Sequence, residues 1–173
     1  MRELALDGDD LVGLHKCMSD PEVVKYFSWE PWNPEEVREF ILQNTKNQQE
    51  QTYRYYDFGI IHDQFGFIGW CNVRVHHPES KEGELAYVLN RKFWGRGYAS
   101  EVADALLRFG FCTLGLHRMY ACCDPENRAS VRVLEKMRMI REAHLRENRW
   151  RKGAYRDTLA YAILDREWLE NKA

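Results

Sequence analysis

Gly83-Glu84-Leu85-Ala86-Tyr87-Val88-Leu89-Asn90-Arg91-Lys92-Phe93-Trp94-Gly95-Arg96-Gly97-Tyr98-Ala99-Ser100-Glu101 reads as a strand that runs through a turn into a helix. The glycines carry the meaning. Glycine accepts positive φ and leaves no Cβ between backbone and ligand, so successive N–H groups can converge on phosphate oxygens at a helix N-terminus. A turn of this kind binds a diphosphate. An isolated Gly-x-Gly more often just shapes a strand-to-helix connection. Two common nucleotide patterns are set aside: position 100 is Ser100 where a dinucleotide fingerprint needs glycine, and no Gly-Lys-Ser/Thr follows as in a P-loop.

Upstream, residues 53–61 and 65–75 are aromatic and β-branched on either side of Asp63-Gln64, which predicts a β-hairpin. Before it, residues 9–18 read as a helix and Asp20-Pro21 as the opening of a short helical turn. Asn33 followed by Pro34-Glu35-Glu36 is an N-cap signal for a helix that runs to near Gln48. Residues 84–89 form the next strand. Downstream, residues 99–114 read as a mainly apolar helix that Gly115 stops, 118–123 as a buried strand, 130–137 as a helix, and 140–146 and 158–164 as closing strands. Helices, a meander, then strand–helix–strand–helix and a final strand pair make a mixed α/β order with one sheet. With no internal repeat or linker, residues 1–173 are expected to form a single domain.

Composition narrows the classes. A chain of 173 residues buries roughly two-thirds of its unfolded surface, so folding demands neither disulfides nor a structural metal. Twenty-five Lys and Arg against 27 Asp and Glu argue against general attraction to nucleic acid or anionic membrane. The five cysteines (Cys17, Cys71, Cys112, Cys122, Cys123) show no zinc spacing and read as reduced, mostly buried thiols. His76-His77 lacks a third ligand at usable spacing and reads as a polar strand end. The amino terminus has no apolar signal segment, and the expected location is cytoplasmic.

The segment 83–101, with Asp20-Pro21-Glu22-Val23, Trp32-Asn33-Pro34, Phe67-Ile68-Gly69, Asn127-Arg128-Ala129-Ser130, Glu135-Lys136 and Tyr155-Arg156-Asp157, closely resembles the GNAT superfamily of acetyltransferases, especially its RimJ/RimL-type branch. The resemblance covers nearly the whole chain. It implies a mostly antiparallel twisted sheet of six to seven strands with one splayed parallel pair, helices on both faces, and acetyl-CoA as cofactor. The family's cofactor motif is Gln or Arg, two variable residues, Gly, a variable residue, then Gly or Ala. Here Trp94 departs from it, while Gly97 and Ala99 match. Leu134 stands where many members carry a tyrosine general acid, and Arg138-Met139 replaces a usual Gly-Phe.

Carried over residue by residue, the resemblance assigns the diphosphate to Gly95, Arg96, Gly97, Tyr98, Ala99 and Ser100. It assigns the pantetheine arm to Val88, Leu89 and Asn90, with an N–H near Val88 on the thioester carbonyl. Asn127 and Ser130 match the family's Asn-x-x-Ser at the sulfur end; an ordinary helix N-cap explains them equally. Arg91, Lys92, Arg96, Arg128 and Arg132 lie along the same path, Arg96 foremost, each also readable as a solvated charge. Glu84 matches a position where several members carry the general base, against a strand-end carboxylate in solvent. The aromatic run 27–32, with Trp29 and Trp32, suits an acceptor cleft with Tyr155 as a neighbour, although core packing accounts for about half of such rings.

The expected reaction is direct attack of a primary amine on the thioester, the acceptor being a small amine or a protein N-terminus, such as that of a ribosomal protein. An N-terminal amine of pKa about 8 is roughly a tenth neutral at pH 7, so a weak base suffices. Cys122-Cys123 allows an acetyl-enzyme on paper, but a buried strand explains both thiols. A polyamine or aminoglycoside acceptor and a non-catalytic acyl-CoA-binding module are the alternatives. The expected state is monomer or homodimer, the last strand pair offering an edge.

Overall fold

The computed structural model of the chain describes residues 1–3, 8–48 and 55–170, without the side chains of residues 2, 3, 48, 77 and 78. The sheet consists of β1 (Arg2–Glu3), β2 (Tyr55–His62), β3 (Gly66–His77), β4 (Glu82–Leu89), β5 (Arg118–Cys123), β6 (Ile140–Arg151) and β7 (Ala154–Leu164). The helices are α1 (Gly8–Met18), α2 (Pro34–Gln48), α3 (Tyr98–Arg108), α4 (Arg128–Lys136) and α5 (Asp165–Glu170). The strand order is β1-β2-β3-β4-β5-β7-β6. Every neighbouring pair is antiparallel except β4 and β5, so the chain must cross over between those two, and α3 lies in that crossover.

Alternation along each strand divides the core into two layers. Leu85 and Leu89 of β4, with Met119 and Ala121 of β5, meet Val102, Leu106 and Leu107 of α3 and Leu134 of α4. On the other face Trp70 and Val88 meet Leu14 and Met18 of α1 and Val37 and Ile41 of α2. The sheet is therefore covered on both sides. The predicted cap of α2 is a reciprocal one: Asn33 Oδ1 accepts from the N–H of Glu35 (2.9 Å) and of Glu36 (3.0 Å), and Glu36 Oε2 accepts from Asn33 N–H (2.7 Å).

The short helical turn expected at Asp20 does form, Val23 and Val24 donating to its carbonyl and Glu22 N–H held by its side chain, before the chain leaves the helical path. Several sequence expectations are corrected. The helix expected over 99–114 ends at Arg108 and widens into a π-turn, Phe109–Thr113, where buried Gly110 passes so close to Met119 that a Cβ would stand 2.5 Å from its sulfur. The closing strands are longer than expected and meet in a two-residue turn at Lys152 and Gly153, both at positive φ. β1 and α5 carry too few apolar residues to have signalled themselves. Residues 53 and 54 of the expected hairpin lie outside the described residues. The thiols are not mostly buried: Cys17 and Cys71 are, Cys123 is half-buried, and Cys112 and Cys122 are exposed. β5 is buried at alternate residues, not throughout.

Candidate active site

β4 and β5 pair over three residues, Glu82↔Arg118, Gly83↔Met119 and Glu84↔Tyr120, and then separate. β4 continues five residues to Leu89 and β5 three to Cys123 without meeting. A wedge opens there, lined by backbone that neither strand satisfies.

Which peptide groups face the wedge follows from parity. Lys81 C=O accepts from Arg118 N–H on the β5 side (3.2 Å), and Asn90 N–H donates to Ile68 C=O on the β3 side (2.9 Å). Since direction alternates along a strand, the peptide groups of Leu85, Tyr87 and Leu89 point to the wedge, and those of Glu84, Ala86, Val88 and Asn90 to β3. The Val88 and Asn90 backbone contacts expected from sequence are thereby corrected. Asn90 instead uses its side chain to hold Lys92 N–H (3.1 Å). The Leu89 carbonyl accepts from the Trp94 indole at 2.8 Å, which gives the departure at Trp94 a structural use.

Beyond the wedge the chain enters α3 through Gly95 (φ 72°) and Gly97 (φ 87°), the latter a left-handed N-cap with no side-chain bond. A Cβ built on either glycine meets nothing within 4 Å, so here glycine serves the backbone conformation rather than close packing. Among the described residues no carbonyl accepts from the N–H groups of residues 95–99, whereas those of Ser100 and Glu101 return to Gly97 C=O. The donors stand in solvent at the positive end of an 11-residue helix, an arrangement suited to a diphosphate. Arg96 is exposed and lies over the Phe93 ring (5.9 Å), free to turn to the same ligand, while Arg91 is paired with Asp20 (3.2 Å).

On the α4 side Asn127 is the helix N-cap, its Oδ1 accepting from Ser130 N–H at 3.2 Å. Leu134 is 1% exposed and belongs to the core. The Tyr87 hydroxyl is buried, and burial holds this phenol protonated against the opposing pull of the Ser130 side chain beside it.

On the opposite face Glu84 stands at the last paired row of the wedge, 26% exposed, with His76 Nε2 at 3.2 Å from its Oε2. Tyr120 lies beside it; burial first, then the Glu84 and Glu82 carboxylates, push its phenol up to about 12. Arg118 is held between Glu82 and Glu142. Partial desolvation and Glu84 raise the Cys122 thiol against the fields of Arg149, Arg151 and Arg118, which leaves it a poor nucleophile at neutral pH although it is exposed. His76 and Tyr120 were not singled out as partners of Glu84, because their proximity depends on strand register that no local motif encodes.

Above this floor the loop from Phe27 to Trp32 forms a ring series, Phe27 on Trp29 (4.5 Å), Trp29 on Trp32 (5.8 Å), Trp32 on Phe40 (5.0 Å) and Phe40 on Trp70 (5.4 Å). Trp29 and Trp32 thus pack on the α1/α2 core. The tip of the β6–β7 hairpin reaches the segment just before this loop: Arg151 Nη1 donates to Tyr26 C=O (2.7 Å) and Lys152 Nζ to Val24 C=O (3.1 Å). Tyr155 does not join it. Paired with Trp150 and packed edge-on against its ring (4.8 Å), it lies on the hairpin face opposite Arg149 and Arg151. Among the described residues no three His, Cys, Asp or Glu side chains cluster as a metal site, and no helix is long and apolar enough to cross a membrane.

A family model described as "Acetyltransferase (GNAT) domain" matches residues 1–140. A Bacillus licheniformis protein named "Uncharacterized N-acetyltransferase p20" is 31% identical over 170 residues, 97% of this chain and 93% of that protein. The crystal structure of a GNAT-family acetyltransferase from Bacillus anthracis superposes with a TM-score of 0.82 at 30% identity, covering 96% of this chain and 94% of that one. At 23% identity, spermidine N-acetyltransferase from Vibrio cholerae, solved with CoA and spermine, shares the fold (TM-score 0.81, 96% of each chain).

Proposed function

The chain belongs to the GNAT acetyltransferase family and is an N-acetyltransferase that uses acetyl-CoA, and from that premise we propose that it acetylates a primary amine directly, with Glu84 as general base, in the manner of the RimJ/RimL-type branch. The observation that carries this reading is the wedge itself: pairing of β4 and β5 stops at Glu84 and Tyr120, and the freed edge leads to the exposed N–H turn at residues 95–99.

Bound acetyl-CoA supplies an activated acyl thioester. The chain's own part is placement and proton handling. The residue 95–99 amides and Arg96 bind the diphosphate, and Ser100 anchors the first turn of that helix. The outward N–H groups of Tyr87 and Leu89 are suited to the pantetheine arm and the thioester carbonyl, replacing Val88 in that role. Asn127 holds the α4 N-terminus and Ser130 in position beside the wedge. From the other face Glu84 accepts the amine proton, directly or through water, and His76 offers a path for it to solvent. Trp29 and Trp32 flank the entering acceptor. The reading extends to one acetyltransferase domain over residues 1–173.

The test is an acetyl-transfer screen read by mass spectrometry over small amines and N-terminal peptides, ribosomal-protein ones included, with acetyl-CoA binding followed by calorimetry. Glu84→Gln should lower kcat by roughly a hundredfold with acetyl-CoA affinity retained. Asn127→Ala should instead weaken acetyl-CoA binding and remove about 1 kcal/mol of cap stability. An unchanged kcat in Glu84→Gln refutes the assigned base; acetyl-CoA binding without transfer to any amine refutes turnover.

A further inference from the structure

Resting on the acetyl-transfer reading, we propose that the acceptor is an amine that also carries a carboxylate, which Arg149 and Arg151 hold while its nitrogen lies at Glu84. Arg149 and Arg151 alternate with Trp150 and share a hairpin face with Arg156, the face turned to the loop above the cleft. Arg74, opposite Glu84 on β3, lies over the Tyr55 ring (5.6 Å) and in the field of Asp57, and several other cations nearby are paired. Arg118 sits between Glu82 and Glu142, Arg156 is paired with Glu126 (3.1 Å), Lys152 with Glu30 (3.8 Å) and Arg91 with Asp20 (3.2 Å). Among the described residues no carboxylate lies within ion-pair distance of Arg149 or Arg151.

The donors left over ask for an oxygen. Arg151 Nε and Trp29 Nε1 are both buried without a partner, on the two segments that the Arg151 to Tyr26 bond brings together. Both are N–H donors, so an incoming acceptor group satisfies them and a second cation cannot. Two like charges held side by side also oppose one another: burial and then Arg149 make the Arg151 guanidinium easier to deprotonate, against the field of Asp124, whose Oδ1 is engaged by Glu126 N–H. An anion between the arginines relieves that repulsion.

Register puts these groups on one face of the sheet: Glu84 pairs with Tyr120, Cys122 follows on that face and pairs with Ala160, and Arg156, four residues along the same strand from Ala160, pairs with Arg149. Glu84 and the pair Arg149 and Arg151 also act electrostatically on Cys122 with opposite sign. An amine at the carboxylate end and a carboxylate at the guanidinium end matches this polarity. A polyamine meets two uncompensated guanidiniums, an unfavourable juxtaposition that selects against it.

Initial rates of CoA release separate the outcomes. The acceptors are free amino acids, dipeptides with an acidic second residue, the carboxamide of each, and spermidine; the first two groups tell a free amino acid from a peptide terminus. Carboxylate acceptors should exceed their carboxamides in kcat/KM by roughly tenfold or more. Arg149→Gln, at an exposed position, should erase most of that ratio by raising the acceptor KM with the acetyl-CoA KM unmoved. Arg151→Gln should do the same, but it also removes the bond to Tyr26, so Arg149 carries the test if that variant folds poorly. Equal use of acids and amides, a preference for spermidine, or a shift confined to the acetyl-CoA KM, as for arginines that serve a cofactor phosphate, overturns the proposal and leaves acetyl transfer standing. A chain that binds acetyl-CoA and acetylates nothing in the panel overturns both.

Discussion

Gly97 shows how little side-chain chemistry the turn proposed for the cofactor needs. Its φ of 87° lies where an L-residue loses roughly 1–2 kcal/mol, and an added Cβ meets no atom, so strain is the whole penalty. Gly97→Ala should lower Tm by about 3–6 °C and weaken acetyl-CoA in calorimetry, because the chain relieves the strain by rotating the N–H groups of the turn. Unchanged affinity would detach these amides from the cofactor. Asp57 offers a contrasting case away from the wedge. It is 3% exposed and accepts from Trp70 Nε1 (3.0 Å) and Asn72 Nδ2 (3.2 Å), yet burial outweighs both bonds and the Arg74 field and raises its carboxyl above the usual range. A raised folded-state pKa stabilises fully below the unfolded value, near pH 4, and that stabilisation fades as pH climbs through the folded value. Asp57→Asn keeps an oxygen acceptor and has no proton to release. Its urea midpoint relative to the parent should therefore rise between pH 4 and 7; parallel curves would mean that the Asp57 charge costs the fold nothing.

At the scale of elements, the end of β4 depends on a close approach from β3. A Cβ on Gly69 would lie 2.3 Å from the Val88 carbonyl oxygen and 2.8 Å from Leu89 Cδ2, and a backbone oxygen inside a sheet has little room to move. Gly69→Ala should cost about 1–3 kcal/mol and loosen acetyl-CoA by displacing the wedge-facing edge. Retained affinity with normal stability would show that the edge tolerates the shift. Much of this element was legible in the sequence. The strand–turn–helix segment stood out because an apolar strand, paired glycines and an amphipathic helix follow each other without interruption, and Asn33-Pro34-Glu35-Glu36 announced its helix because capping is local chemistry. Register was not legible. That Tyr87 and Leu89, rather than Val88 and Asn90, present peptide groups to the wedge depends on partners at Lys81 and Ile68, which no local pattern specifies. The hairpin tip was missed for another reason: residues 147–157 are charged on both faces, so no alternation marks them as strand, and Lys-Gly is a weaker turn signal than Asn-Gly. Tyr155, expected as a neighbour of the aromatic loop, lies on the hairpin face away from Arg149 and Arg151.

For the molecule as a whole, the side proposed for the acceptor is closed by parts of the chain far apart in sequence. The loop at residues 24–26 meets the hairpin tip through Arg151 to Tyr26 and Lys152 to Val24, separations of 125 and 128 residues, and Tyr26 donates to Glu126 C=O (3.2 Å) at the foot of α4. These are partly exposed polar contacts rather than core, each worth about a kcal/mol at most, so the clasp can open without unfolding the sheet beneath it. Lys152→Ala removes both the bond to Val24 and the pairing with Glu30. Its Tm should fall by no more than about 3 °C. Hydrogen exchange should respond locally, with faster exchange across residues 22–32 and unaltered protection in β3 and β4, whose amides are set by the sheet. If the loop exchanges at its parent rate in this variant, the aromatic series from Phe27 to Trp70 alone holds it, and the hairpin is a wall of the cleft without being its latch. If protection in β4 falls as well, the contact supports the wedge as well as the loop, and closure over the acceptor then reaches the strand that carries Glu84.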